Sequence, residues 1–274
     1  MPQNRFCYLA YDGTVHPVRT GRLVACSLLV GMLFSGSAIA EPTDITIRVV
    51  ARGAMYVGDL VEGAQVTLTD AGSGEVLAQG VTEGAAGDPE RIMDAARKRG
   101  APMSAPGDAQ FSATIDIDEP RYLQVTAFGP LQRRESATRT TMTQWVVPGK
   151  HLTGGDGWVL ELAGFFVQGD LESSFVSLEQ ASEGVLVEAE VALMCGCPVK
   201  PGFFWDADNY EVTALVKRGE AEVGRYPLRY AGSASDFAGS IAVELPGLYD
   251  ITVYAYDPAS GNTGVDRLEL TVSE

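Results

Sequence analysis

The sequence predicts an all-β protein: two β-sandwich domains in tandem, with one short helix inserted in the first. Three observations predict this. From Asp44 onward, apolar and polar residues alternate in short runs, the signature of half-buried strands. Gly- and Pro-bearing turns separate the runs. A helix start signal is read at Asp88-Pro89-Glu90, with Asp as N-cap and Pro at the first helical position.

In chain order, residues 1–40 read as a cleaved signal peptide. Arg5, Arg19 and Arg22 form a basic region, Leu23 to Phe34 a short apolar run, and Ala38-Ile39-Ala40 a small-residue cleavage site before Glu41. The apolar run is too short for a good membrane span. The expected location is therefore periplasmic or extracellular, with no membrane span in the mature chain. Residues 41–168 are predicted to form the first sandwich. Its strands are Ile45 to Val49, Gly63 to Asp70, Val76 to Gly80, Phe111 to Ile117, Arg121 to Phe128, Thr141 to Val147 and Trp158 to Gln168. The helix is expected over Asp88–Arg99, stopped by Gly100 and carrying one small apolar stripe, Ile92, Met93 and Ala96.

Gly169-Asp170 marks the expected boundary, and residues 169–274 the second sandwich. Its strands are Val185 to Met194, Tyr210 to Lys217, Glu222 to Tyr230, Asp236 to Glu244, Leu248 to Tyr256 and Thr263 to Val272. With the start from Leu171, about seven short strands in roughly 100 residues fit an immunoglobulin-like or fibronectin-like sandwich.

Two stretches carry a resemblance. Val61-Glu62-Gly63-Ala64-Gln65-Val66-Thr67-Leu68, followed by Gly74 to Thr82 and by Phe111 to Ile115, resembles the carboxypeptidase regulatory-like, transthyretin-like β-sandwich. That resemblance implies a non-catalytic folding or binding module; the stretch from Gly87 to Gln110 departs from it. Pro246-Gly247-Leu248-Tyr249-Asp250-Ile251-Thr252-Val253, with Ala255-Tyr256-Asp257 and Gly261-Asn262-Thr263-Gly264, resembles bacterial Ig-like and PKD-like modules. Tyr249 stands where a tyrosine corner would lie. Asp257 and Asn262 read as turn residues.

Charge excludes some partners. The full chain carries 20 Lys+Arg against 36 Asp+Glu, and losing residues 1–40 takes the net charge from −16 to −18. Nucleic acid and anionic membrane surfaces both call for a basic patch; the expected partner is an unidentified protein.

Chemistry concentrates at Met194-Cys195-Gly196-Cys197-Pro198. Cys7 and Cys26 leave with the signal peptide, so Cys195 and Cys197 are the mature chain's cysteines, in an oxidising compartment. A continued strand would point Leu193, Cys195 and Cys197 inward, with the two cysteine Cα atoms about 6.6 Å apart, near the upper limit for a disulfide. Gly196 can bend the chain and shorten that distance, and Pro198 ends the strand. Three readings stay open. Two thiolates with Met194 as third ligand are sulfur donors suited to Cu(I). The pair can close a small-loop disulfide. Or the thiols are inert or pair between molecules. A single-chain zinc site lacks ligands, because His151 is the one mature histidine. A thioredoxin-type site would need C-x-x-C.

Two other segments stand out. Lys200 to Trp205 brings Phe203, Phe204 and Trp205 together, as a plug for the sandwich end or a shield for the sulfurs. Gly149 to Gly157 is Gly-dense and holds His151 and Asp156, either an acid–base or ligand pair or parts of a mobile loop. The leading expectation is an exported, non-enzymatic binding or accessory protein, with soft-metal Cu(I) binding through Met194, Cys195 and Cys197. Its alternatives are a structural or interaction module with a small-loop disulfide, and a thiol–disulfide exchange protein.

Overall fold

The computed structural model describes residues 40–96 and 98–274, so the signal-peptide features, Cys7 and Cys26 lie outside the described residues. The first seven strands are β1 (Glu41–Ala51), β2 (Gln65–Asp70), β3 (Val76–Val81), β4 (Phe111–Ile117), β5 (Arg121–Gly129), β6 (Thr138–Val146) and β7 (Trp158–Leu162). They form two facing sheets, ordered β4-β1-β7 and β3-β2-β5-β6. The period-two pattern explains the packing. Ile45, Ile47 and Val49 of β1 meet Val66 and Leu68 of β2 and Leu123 and Val125 of β5, all buried in one apolar core.

The second set begins with β8 (Phe165–Leu171), β9 (Phe175–Ser177), the helix α1 (Leu178–Glu183) and β10 (Val185–Leu193). It continues with β11 (Glu211–Arg218), β12 (Ala221–Pro227), β13 (Arg229–Tyr230), β14 (Asp236–Ile241), β15 (Gly247–Tyr256) and β16 (Thr263–Ser273). One sheet is ordered β13-β14-β10-β8, the other β12-β11-β15-β16-β9, with β9 parallel to the last long strand. This arrangement is immunoglobulin-like. Tyr249, buried near the start of β15, donates its hydroxyl to Leu245 O at 2.6 Å, which is the geometry of a tyrosine corner.

Three local outcomes differ from the sequence expectation. The run Trp158 to Gln168 is two strands. Leu160 and Leu162 face the first core, the phase slips at Ala163-Gly164, and Phe165 and Val167 are buried after it. Gly164 makes the slip, with φ +125°, and β8 then pairs antiparallel with β10. The expected boundary at 168/169 falls within β8. The expected helix at 88–99 is one wide helical turn, Glu90–Asp94, ending in extended backbone at Ala95. Asp88 Oδ1 accepts from Arg91 N at 2.9 Å, but Ile92 is the turn's one buried residue, and without a second apolar row nothing supports further turns. Finally, α1 follows Ser177, whose side chain and that of Gln180 form a reciprocal capping box.

One apolar cluster, from Leu68 through Phe165 to Val253, runs through both sandwiches. Hydrogen bonds stitch the junction around it. Trp205 Nε1 donates to Gly53 O at 3.0 Å. Thr138 Oγ1 donates to Ala163 O at 3.1 Å, and Ser136 Oγ to Val167 O at 3.3 Å.

Candidate functional site

β10 ends at Leu193 because the chain folds back. Gly196 N donates to Leu193 O at 2.8 Å, and Pro198 bridges to Ala192. Ser235 then clamps the returning segment: its N donates to Val199 O at 2.7 Å, and its Oγ accepts from Val199 N at 3.2 Å. Within this turn Cys195 and Cys197 are joined by a disulfide, with their Cα atoms 5.3 Å apart. Gly196, at φ +73°, supplies the bend that brings them within range.

Both cysteines are fully buried, and so is Met194, whose methyl lies against Gly164. Cu(I) coordination needs both cysteines as thiolates. The disulfide and a thiolate metal site are thus alternative states of the same two sulfurs. Among the described residues, no group of three or more His, Cys, Asp or Glu gathers as a metal site.

The cysteine turn faces the other sandwich. A Cβ on Gly196 would stand 2.6 Å from Val61 Cγ1, so the ring presses on the short turn Asp59–Val61 of the first sandwich. Beside this contact opens a cleft of about 270 Å³, walled by Leu60, Val61 and Pro130 from the first sandwich and by Phe166, Gly196 and Pro198 from the second. Its polar groups converge from both sides. Arg133 Nη2 donates to Glu190 Oε2 at 3.1 Å, Arg133 Nη1 donates to Gln168 Oε1 at 3.1 Å, and the guanidinium lies 4.5 Å from the Phe166 ring centroid. Two non-glycine residues hold left-handed backbone among the described residues, Glu62 at φ 58° and Ser235 at φ 71°. Ser235 lines the cleft, whereas Glu62 is the left-handed cap that ends the Asp59–Val61 turn. Such strain collects at functional sites.

The remaining sequence candidates separate. His151 Nδ1 accepts from Asp44 N at 3.0 Å. Asp156 points elsewhere: its Oδ1 accepts from Met103 N at 2.9 Å, Ser104 N at 2.8 Å and the Tyr56 hydroxyl at 3.3 Å. The two therefore do not form an acid–base pair. Partial burial pushes the Asp156 carboxyl up, but these donors outweigh it and hold it below the usual range. Burial, with the Asp156 charge beside it, raises the Tyr56 phenol. Trp205 is buried in the junction, whereas Phe203 and Phe204 remain exposed, with Lys200 Nζ 4.3 Å from the Phe203 ring centroid. Asp257 closes an Asx turn, accepting from Ala259 N at 2.8 Å.

Sequence reasoning missed Arg133, Glu190 and Ser235. Arg133 lies in a stretch without periodicity and Glu190 on an ordinary alternating strand; only the fold brings them to one cleft.

No family model matches the chain, and no curated protein matches it. Among solved structures, the chain is similar to a structure titled "Structures of Clostridium thermocellum CbhA fibronectin(III)-like modules", at 13% identity and TM-score 0.28, covering 85% of this chain and 94% of that one. It is also similar to an ICAM-5 D1-D4 ectodomain fragment, at 12% identity and TM-score 0.25, covering 86% of this chain and 50% of that one.

Proposed function

We propose that this chain is an exported, non-catalytic binding or accessory protein, and that its partner protein docks in the cleft between the two sandwiches. The observation that carries the reading is the composition of the cleft wall: both sandwiches supply it, and a disulfide-closed turn shapes it. Pockets at such junctions are preferred ligand sites. The apolar wall with one guanidinium and one carboxylate suits a peptide segment bearing an apolar side chain next to a charge. The sandwiches divide at Ala163-Gly164 in this reading. The first is a carboxypeptidase regulatory-like module; in support, the resembling residues fall on the β2–β3 hairpin and on β4. Export is supported by the residue pattern of 1–40 and by the use of a disulfide, which suits an oxidising compartment.

Two measurements test this. Benzoylphenylalanine in place of the exposed Leu60 should give one dominant protein adduct in the exporting cell, and the same group at Val223 should give none; equal labelling from both positions, or no adduct from Leu60, would count against cleft docking. Peptide mapping of the exported protein after alkylation without reductant should recover a linked Cys195–Cys197 peptide. Free thiols at both positions, with Cu(I) bound against a competing chelator and lost in Cys195→Ser/Cys197→Ser, would replace the disulfide reading by the copper one.

A further inference from the structure

The outward face of the sheet β3-β2-β5-β6 has a composition unlike the rest of the chain. At one end Tyr122 and Trp145 are cross-strand partners, with ring centroids 5.3 Å apart and planes at 45°. Both are exposed, Trp145 at 65%. At the other end Phe128 pairs with Arg139, whose guanidinium lies 5.1 Å from the ring centroid. Between these ends the pairs are Gln124 with Thr143 and Thr126 with Thr141. On β2 the same face continues with Gln65, Thr67 and Thr69, the cross-strand partners of Phe128, Thr126 and Gln124. None of the outward positions of these four strands is Asp or Glu, in a chain that carries 36 of them.

The chemistry of this face selects an occupant. Thr and Gln side chains each donate and accept, so a partner must offer both functions at close spacing. The Arg139 guanidinium covers the Phe128 ring, so the open π faces are those of Tyr122 and Trp145, which stack on C–H surfaces. A protein interface core would be aromatic- and Met-rich in its middle; here the middle is hydroxyl and amide. The face has no carboxylate to hold a cation, and the chain's net charge of −16 repels polyanions. We infer that this face binds a neutral polysaccharide, whose sugar rings stack on Trp145 and Tyr122 and whose hydroxyls bond to the Thr and Gln rows. The hydroxyls are already oriented: Tyr122 and Thr143 oxygens lie 2.7 Å apart, and Thr126 and Thr141 oxygens 3.2 Å apart.

Trp145 and Tyr122 sit at the end of the β5–β6 pair away from Pro130, which lines the cleft, so this inference stands or falls separately from cleft docking. The test is affinity electrophoresis of the full chain through gels containing neutral glucan, xylan or mannan, with pull-down on cellulose and chitin, and polygalacturonate as the acidic comparison. At least one neutral polymer should retain the protein while polygalacturonate does not. Trp145→Ala and Tyr122→Ala, both at exposed positions, should weaken retention at least about tenfold, a loss of about 1.4 kcal/mol, with unchanged circular dichroism. Val223→Ala, at an exposed position on β12 of the second sandwich, should leave retention near wild type. No retention by any neutral polymer, retention by polygalacturonate alone, or equal retention of the Trp145→Ala variant would overturn the proposal.

Discussion

Asn262 holds Gly164 in place across 98 residues of sequence: its Oδ1 accepts the Gly164 amide at 3.0 Å, while its Nδ2 donates to Arg52 O at 3.0 Å. One buried carboxamide therefore ties the chain just beyond β1 to the point where the strand phase slips between the sandwiches.

Replacing this residue by Ala leaves a buried N–H and a C=O without partners. Each unpaired buried group costs about 1–3 kcal/mol. Asn262→Ala should lower the unfolding free energy by at least about 1 kcal/mol, read by tryptophan fluorescence as a lower urea midpoint at unchanged m-value; an unmoved midpoint would show that the junction does not depend on this bolt.

The tyrosine corner makes a smaller prediction. Tyr249→Phe keeps the buried ring and deletes only the hydroxyl bonded to Leu245 O. A loss of about 0.5–1.5 kcal/mol follows from one hydrogen bond, with up to a further kilocalorie or so for the stranded carbonyl. Equilibrium unfolding of the two proteins compares them directly.

Gly196→Ala tests the turn. The residue has a left-handed backbone, and a Cβ there would collide with Val61. Backbone strain of this type costs about 1–3 kcal/mol, and Val61 must also shift. The variant should lose stability and, in the crosslinking assay from Leu60, lose adduct as well. Gly202→Ala is the matched comparison, since it shares the positive φ at +68° but has open space around it.

Asp156 anchors the inserted segment through the Met103 and Ser104 amides, and its carboxyl is held more acidic than in the unfolded chain. The sign follows. Its contribution is fully present above the ordinary Asp value of about 3.9 and is lost as pH falls through the lower folded value. Hydrogen exchange at Met103 and Ser104, corrected for intrinsic rates, should therefore quicken only below about pH 4. In Asp156→Asn it should be fast at pH 7, with faster tryptic cleavage after Lys98 or Arg99. Equal protection in the variant would show that the segment is held by other contacts.

The strand pattern was largely legible because period two is local information: β2, β4, β5, β15 and β16 fall within a residue or two of their sequence bounds. Failures came where local signals conflict or are short. The Trp158 to Gln168 run stays apolar on both sides of Gly164, so the sequence hides a phase slip that only pairing partners reveal. The turn at Glu90–Asp94 had a sound N-terminal signal but too little apolar surface to continue. The capping box at Ser177 and Gln180 was there to be read. At the site, the cysteine turn was visible from Gly196 and Pro198, but its position against Leu60 and Val61 was not, because contact between residues so distant in sequence leaves no periodic trace.

The Cys195–Cys197 ring encloses three residues. Loop-closure entropy for so small a ring gives about 1.6 kcal/mol at 25 °C, against about 3 kcal/mol for a fifteen-residue loop. Cross-linking therefore removes little freedom from the unfolded chain, and it ties no distant segments together. It acts as a gauge block, not as a clasp: it sets the thickness of one turn where two bodies of the protein meet, so that oxidation fixes a dimension more than it fixes the fold.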